Sequence, residues 1–198
     1  MSVIETEKQK QIIETAKKLF WKYGMKRVSV EEVCREAHVS KMTFYHYYQN
    51  KNDLAMAILD LIQEEGMKKY QDIMDRDVSF AEKVRLWVQL KMEQTKDLSS
   101  EFFNDLHKNA PPEVTAHFQK IYTESVQRIL DDFLQARQRG DIRKDIKPEF
   151  ILYFLNRMID MTDDENLSTL YDSPQEMILE LTNFFFYGIL PRREKNDG

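Results

Sequence analysis

Cysteine, glycine and proline are scarce in this sequence. Its 198 residues include one cysteine, five glycines and five prolines. The single Cys34 rules out an internal disulfide and a cysteine-based metal site, which fits a reducing compartment. The chain also lacks Asn-Gly or Asp-Gly turns between alternating hydrophobic runs, so the pattern disfavours a β-sheet protein. We therefore expect an all-α fold.

Long hydrophobic runs are missing as well. No uninterrupted apolar stretch approaches the length of a transmembrane helix, and the first ten residues lack the apolar core of a secretion signal. We therefore expect a cytoplasmic protein without a membrane partner. Hydrophobic residues still form 42% of the chain, which is enough to bury a core in one large domain or two small ones.

Motifs of catalysis and metal binding are absent too. The sequence has no nucleophile elbow, Gly-rich phosphate loop or His-Glu-x-x-His motif. The pairs His38 with His46 and His107 with His117 lack the further ligands that a metal site needs. The acidic run at 163–165 lacks calcium-loop spacing and is predicted to be a solvated loop. We predict no enzyme, cofactor or metal; a helical enzyme or a partner-binding protein is the alternative.

Charge is unevenly distributed along the chain. The net charge is −5, but residues 1–51 contain ten basic and six acidic residues, a net charge of +4, while the remainder carries −9. A basic amino-terminal segment on an acidic protein indicates that one end binds a polyanion, because attraction to phosphate needs a local patch. Chance variation among solvated faces is the alternative.

Capping patterns predict nine helices. Ser, Thr or Asn followed three residues later by Glu, Gln or Asp satisfies backbone N–H groups where a helix begins. Five such pairs begin at Thr6, Ser29, Asn50, Ser79 and Ser173. Glycines and prolines mark further helix ends and starts. The helices are predicted at about 6–23, 30–37, 41–47, 51 to the seventies, 80–97, 100–108, from Pro111-Pro112 to Gly140, after Pro148, and after Pro174.

The second and third predicted helices have helix-turn-helix spacing. Both are short, and the four residues 37–40 allow only a tight turn between crossing helices. At about 100° per residue, Phe44 and Tyr48 fall on one side of the third helix, where they can pack on the first two. The opposite side is then exposed and suited to a DNA major groove. An aromatic cluster packed against another helix is the alternative.

The exposed side of the third helix carries side chains that suit DNA. A lysine such as Lys41 can donate to guanine, and Met42 or Tyr45 can pack on a thymine methyl group. The donors of Thr43, Tyr47 and Lys51 are better suited to phosphate oxygens, and Lys51 also lies at a helix start that favours anions.

The first 60 residues contain a set of apolar, glycine, capping and aromatic positions in one register. The set consists of Phe20, Gly24, Ser29, Val30, the segment AHVSKMTFYHYYQNK and Leu54. In these positions the chain resembles the TetR family of bacterial one-component transcriptional regulators. The family pattern usually has glycine in the turn where this chain has His38, and phenylalanine where it has Tyr48. His38 is compatible with a left-handed turn position, which histidine adopts more readily than most residues.

This resemblance implies a helix-turn-helix DNA-binding domain at 1–51 and a six-helix ligand-binding and dimerisation domain at 52–198. It implies a regulator, mostly a repressor in this family, that is released by a small effector. The implied base-reading residues are Lys41, Met42, Tyr45 and His46. The implied phosphate contacts are Thr43, Tyr47 and Lys51, to which Ser29 and Ser40 are expected to add as capping residues near the DNA backbone.

The last two predicted helices are apolar on more than one face and therefore need covering on more than one face. We predict a two-fold homodimer, whose operator would be near-palindromic with half-sites about 34–36 Å apart or at a multiple-turn offset. Enclosure by helices 5 to 7 within a monomer is the alternative. The predicted interface residues are Phe150, Tyr153, Phe154, Met158, Met161, Met177, Leu181, Phe184 and Phe185.

Large side chains with polar tips in helices 4 to 8 indicate a pocket for a largely apolar effector, although aromatic residues at helical spacing also form ordinary cores. Such an effector is expected to shift the fourth helix, which is continuous with the DNA-reading segment. It acts only to the extent that it binds one spacing of the two DNA-reading segments in the dimer better than the other. The predicted pocket residues are Tyr70, Trp87, Phe103, His107, Phe118, Tyr122 and Asn156.

Overall fold

Ten helices and their connecting turns make up the described part of the chain, so the predicted all-α fold is confirmed. The computed structural model describes residues 6–162 and 164–190. None of the helices in these ranges has the length and hydrophobicity of a transmembrane span. The helices are α1 (Glu7–Tyr23), α2 (Val30–Glu36), α3 (Lys41–Tyr47), α4 (Lys51–Met74), α5 (Phe80–Thr95), α6 (Ser100–His107), α7 (Pro112–Arg139), α8 (Pro148–Thr162), α9 (Glu165–Ser168) and α10 (Pro174–Ile189).

Helix α9 is the one helix of the described chain that was not predicted; its position was predicted as a loop. Asp164 caps this helix by accepting a hydrogen bond from the backbone N–H of Leu167 at 3.0 Å. An aspartate followed by only one helical turn gives no apolar periodicity, so the sequence pattern did not reveal it. The other predicted helix boundaries agree with the structure to within about two residues.

All five predicted capping residues accept the hydrogen bond expected of them. The backbone N–H three residues further on donates to the capping side chain over 2.9–3.3 Å. These hydrogen bonds fix the residue at which each of the helices α1, α2, α4, α5 and α10 begins. Because each contact spans only three residues, it could be predicted without knowledge of the tertiary structure.

The chain divides into two compact units. The first contains the described residues up to Met67 together with Lys96–Tyr122, and the second contains Lys68–Thr95 and the described residues from Thr123 onward. Helices α4 and α7 each contribute residues to both units. The division into a DNA-binding domain at 1–51 and a second domain at 52–198 does not coincide with these units and stays a prediction.

The first unit is built around a core that α1, α2, α3 and α6 share. Its side chains from α1 and α3 include Phe20 and Phe44, both without solvent exposure. Helix α6 covers α1: the Trp21 and Phe102 rings lie 4.4 Å apart between centroids. Burial of aromatic rings such as these is a large stabilising contribution in a folded unit.

Gly24 ends α1 and lies against α6. Its φ of 82° favours glycine, and its N–H donates to the Phe20 carbonyl at 2.9 Å. A β-carbon at this position would lie 2.6 Å from Oδ2 of Asp105 on α6. That carboxylate accepts the backbone N–H of Lys26 at 2.8 Å, so α6 holds the α1–α2 loop through a hydrogen bond to its backbone.

The second unit has an aromatic core. Trp87 of α5 contacts the rings of Tyr70, Phe133 and Phe186 at centroid distances of 4.7, 6.2 and 4.5 Å. Phe185 of α10 stacks on Phe133 at 6.0 Å. Helix α10 therefore packs against α5 through the face that carries Phe186. It also contacts α8.

Candidate nucleic-acid interface

The turn between α2 and α3 has the geometry of a helix-turn-helix. His38 has a φ of 53°, which confirms that this position takes a left-handed backbone. The N–H of Val39 donates to the Cys34 carbonyl at 3.0 Å, and Ser40 caps α3 through the N–H of Thr43. Histidine occupies this position, where the TetR pattern that the chain resembles usually has glycine, at a modest conformational cost.

The orientation of α3 is as predicted. Phe44 is fully buried and Tyr48 is 4% exposed, whereas Met42 is 84% exposed on the opposite side. The Phe44 and Tyr48 rings lie 5.8 Å apart between centroids. Burial raises the pKa of Tyr48 to about 12, which agrees with its interior position. One side of α3 is therefore core and the other faces solvent.

The four predicted base-reading residues share this exposed side. Lys41, Met42, Tyr45 and His46 are all exposed. Nζ of Lys41 donates to Oε1 of Glu31 on α2, and this hydrogen bond lowers the pKa of Glu31 and raises that of Lys41. Exposed ion pairs are weak, so Lys41 can exchange Glu31 for another acceptor. The role of the four exposed residues in base reading stays a prediction.

Tyr47, a predicted phosphate contact, has a partner that sequence reasoning missed. The hydroxyl of Thr6 donates to the Tyr47 oxygen at 2.8 Å, while Thr6 also caps α1. Because the Tyr47 oxygen accepts this bond, its own O–H proton is left to donate elsewhere. The capping role of Thr6 was visible in the sequence, but a contact across 41 positions was not.

The other predicted phosphate contacts on this surface are helix caps or their partners. Oγ of Ser29 accepts the N–H of Glu32 at 3.1 Å, and Oγ of Ser40 accepts the N–H of Thr43 at 3.0 Å. The hydroxyls of Ser40 and Thr43 lie 2.9 Å apart. Each serine places a hydroxyl group at the first turn of a helix, where anions are favoured.

Lys51, a predicted phosphate contact, has hydrogen-bond partners within the chain. Nζ donates to the carbonyls of Met25 at 2.8 Å, Lys26 at 3.2 Å and Val28 at 2.9 Å. These three bonds use all three N–H donors of the ammonium. Partial burial lowers the pKa of Lys51, and nearby Asp105 opposes that effect. The side chain thereby connects the start of α4 to the α1–α2 loop, and its contact with phosphate stays a prediction.

The predicted pocket residues fall into two groups, one in each unit. Tyr70 and Trp87 belong to the aromatic core of the second unit, where the Tyr70 hydroxyl donates to Asp132 at 2.9 Å and burial raises the pKa of Tyr70. Asn156 is exposed. In the first unit, Phe103, His107, Phe118 and Tyr122 form a row of rings with successive centroid distances of 4.4, 5.3 and 6.3 Å.

Two cavities have linings that contain none of these seven residues. One in the second unit has a volume of about 440 Å³ and a mostly polar lining that includes Asp75, Lys83, Arg128, Asp132 and Arg139. One in the first unit has a volume of about 200 Å³ and is bordered by Lys51 and Asp105 among others. The expectation of a largely apolar pocket at the seven residues therefore stays a prediction.

The predicted dimer residues divide by exposure. Met177, Leu181 and Phe185 are buried within the chain. Their assignment to a dimer interface stays a prediction. They lie on the side of α10 that faces the core, where Phe185 stacks on Phe154 at 5.4 Å. Phe154, Met158 and Met161 are partly buried.

The exposed remainder of the set is aromatic. Phe150, Tyr153 and Phe184 are exposed, with Phe184 at 72%. Tyr187, one turn beyond Phe184, is exposed as well and was not predicted. These four rings lie on the two helices that were expected to pair in a dimer.

No potential metal centre is found among the described residues: no three His, Cys, Asp or Glu side chains lie close enough to hold an ion. Two of the histidines contact individual side chains. Nε2 of His117 lies 2.7 Å from Oδ1 of Asp60, and the His46 ring packs on Tyr47 at 4.8 Å.

Residues 12–58 match the family model described as bacterial regulatory proteins, tetR family. Two proteins of Bacillus subtilis strain 168 are similar to the chain. The uncharacterized HTH-type transcriptional regulator YuxN is 37% identical over 67 residues, 34% of this chain and 23% of that protein. The uncharacterized HTH-type transcriptional regulator YhgD is 25% identical over 154 residues, 77% of this chain and 80% of that protein. The resemblance noted from the residues is thereby confirmed.

Solved structures share the fold as well. A putative transcriptional regulator from Saccharomonospora viridis, solved in complex with choline, superimposes with a TM-score of 0.71 at 17% identity. The superposition covers 95% of this chain and all of that one. At this level of identity the likeness shows a common fold.

Replacing Lys51 with methionine tests its structural role. Loss of three hydrogen bonds from a half-buried ammonium is expected to lower the free energy of unfolding by about 1–3 kcal/mol. Urea unfolding followed by circular dichroism measures this change, with exposed Lys18→Met as the control for removing one positive charge. Unchanged stability of Lys51→Met, with a salt dependence of DNA binding reduced by about one phosphate contact, would contradict the structural role and favour the phosphate contact predicted from sequence.

Proposed function

We propose that this chain, which belongs to the TetR family of DNA-binding transcriptional regulators, is a repressor that binds a near-palindromic operator as a homodimer. The observation that carries the proposal is the orientation of α3. Burial of Phe44 and Tyr48 leaves Lys41, Met42 and Tyr45 on an exposed helix surface. A short helix of this kind, held across a second helix, fits the major groove.

The side chains on this surface divide by chemistry. Lys41 can donate to guanine, while Met42 and Tyr45 can pack on thymine methyl groups. Tyr47, whose oxygen already accepts from Thr6, retains a proton to donate to a phosphate. Base contacts would then specify the sequence, and phosphate contacts would set the position of the helix in the groove.

Dimerisation through α8 and α10 is supported by their exposed rings. Phe150, Tyr153, Phe184 and Tyr187 are each more than half exposed. An isolated exposed aromatic residue needs no explanation, but four on two helices of one unit favour a protein partner. A second copy of the chain is the occupant consistent with a palindromic operator, because a two-fold axis relates both protein and DNA.

A small-molecule effector is part of the proposal. The choline-bound regulator of the same fold supports ligand binding by this architecture. Helices α4 and α7 each contribute to both compact units, which supports coupling along continuous helices. An effector would release DNA only to the extent that it binds one arrangement of the two DNA-reading segments better than the other. We expect the protein to act in the cytoplasm, where the DNA lies.

Tyr47→Phe is expected to weaken DNA binding about tenfold, because one phosphate hydrogen bond is lost. Thr6→Val should weaken binding by less, through loss of the orientation of Tyr47. In a Tyr47→Phe background, Thr6→Val should then cost nothing further. Fluorescence anisotropy with a DNA fragment selected in vitro measures all four affinities, well below the melting temperature.

Thr6→Ser is the matched control, because serine keeps both the cap and the hydroxyl donor. It should bind DNA as the original chain does. Wild-type affinity of Tyr47→Phe would remove that residue from the interface. Absence of any DNA binding by the folded, unsubstituted chain would favour the alternative of a helical enzyme or partner-binding protein.

Phe184→Glu is expected to produce folded monomers, because it places a charge within the proposed interface without touching the core. Sedimentation velocity measures the oligomeric state, and circular dichroism confirms folding. Leu170→Glu, at another exposed apolar position, is the control that should leave the dimer intact. A dimer that persists in Phe184→Glu would place the interface elsewhere.

A further inference from the structure

One acidic side chain of α2 contacts the start of α3. The segment KMTFYHY, which forms α3, contains no acidic residue of its own. Glu31, in the first turn of α2, supplies a carboxylate whose Oε1 accepts a hydrogen bond from Nζ of Lys41 at 2.5 Å. Both side chains are more than half exposed. A negative charge is unexpected on a surface that is proposed to meet a polyanion.

Among the described residues, Glu31 is the only hydrogen-bonding or ion-pair partner of the Lys41 ammonium. Their hydrogen bond is the main cause of the lowered pKa of Glu31 and of the raised pKa of Lys41. Both groups are therefore charged at neutral pH. The carboxylate offsets the one positive charge at the first position of α3.

Helix packing does not account for this ion pair. Val33 of α2 and Phe44 of α3 are both fully buried in one core, and the turn has its own hydrogen bond from the N–H of Val39 to the Cys34 carbonyl. An ion pair between exposed side chains adds little to such packing, because water and salt screen the charges. The role of Glu31 is therefore to be sought in what Lys41 binds.

The ammonium of Lys41 can serve two acceptors at once. It has three N–H donors, and Glu31 occupies one of them. Lys41 is also the first residue of α3, and the N-terminal residues of a recognition helix reach base edges in the major groove. Guanine presents O6 and N7 there. Lys41 can therefore donate to a guanine while its ion pair with Glu31 stays intact.

DNA that lacks a guanine at this position leaves Lys41 with a phosphate as its alternative acceptor. Turning towards the phosphate draws the ammonium away from Glu31. The carboxylate is then left without its cation beside a polyanion, where like charges repel. Repulsion that arises only with the wrong partner is one way in which charged groups confer specificity.

We propose that Glu31 is a specificity-determining residue, which holds Lys41 for a guanine edge and opposes binding of the same lysine to phosphates. The proposal rests on the proposed function, because it requires that α3 reads bases. It adds to the reading surface a residue from outside α3, with a charge opposite to that expected of a DNA contact. Glu31 acts through Lys41 and is thus a positioning residue.

Glu31→Gln tests the proposal, because glutamine keeps the size of the side chain and removes its charge. Fluorescence anisotropy measures the affinity for a fragment selected in vitro by the unsubstituted chain, and for a duplex of the same length that contains only dA and dT. Affinity for the second duplex is expected to rise about three- to fivefold, while affinity for the selected fragment changes by less than about twofold. The salt dependence of binding to the dA/dT duplex should steepen by about one phosphate contact, because Lys41 is released.

Two controls separate this effect from a general effect of charge. Glu36→Gln removes another exposed carboxylate of α2, one that pairs with Arg35 of the same helix. It should change both affinities by the same factor and leave their ratio unaltered. Lys41→Met removes the lysine itself, so adding Glu31→Gln to this variant should no longer steepen the salt dependence.

Three results would overturn the proposal: an unchanged affinity ratio in Glu31→Gln, an equal change of the ratio in Glu36→Gln, or selected fragments that lack guanine at a fixed position. An ion pair that only holds α2 against α3 would give the first result, because both affinities would fall together. Failure of the proposed function looks different, since the unsubstituted chain would then bind all DNA alike or none. Sequence-selective binding that Glu31→Gln leaves intact would refute the role of Glu31 alone.

Discussion

Burial of two rings on one side of α3 is the constraint on which the rest of the first unit depends. Phe44 and Tyr48 are separated by four residues and both enter the core shared with α1 and α2. A seven-residue helix has little stability alone, so tertiary packing determines its rotation. Once Phe44 is inside, Met42 can only be outside. The side chains available to DNA follow from that packing and not from any feature of DNA binding.

The α1–α2 loop shows how the packed helices are held in position. Gly24 leaves room for Asp105, whose carboxylate accepts the N–H of Lys26. Lys51 binds three carbonyls of the same loop from the start of α4. The loop is thus held from α6 on one side and from α4 on the other. From the sequence alone, the polar groups in these contacts would be expected to bind DNA or to face solvent.

Local features were predictable and long-range ones were not. The five capping pairs act over three residues, and the positive φ of His38 follows from its place in a short turn, so both were visible in the sequence. The contact of Lys51 with Val28 spans 23 positions and depends on the tertiary structure. Periodicity likewise showed that α10 is apolar on more than one face, but it could not show that Phe185 faces the core while Phe184 faces outward.

The central claim is that the side of α3 opposite Phe44 is the surface that meets DNA. Carbon-13 labelling of methionine methyl groups tests it directly, because Met42 lies on that side and Met25 is buried in the neighbouring loop. Nuclear magnetic resonance spectra are recorded while a DNA fragment selected in vitro is titrated into the labelled chain. The account predicts that the Met42 methyl signal shifts with saturation at the DNA binding stoichiometry, while that of Met25 changes little. A Met42 signal that stays in place while the chain is fully bound to DNA would contradict it.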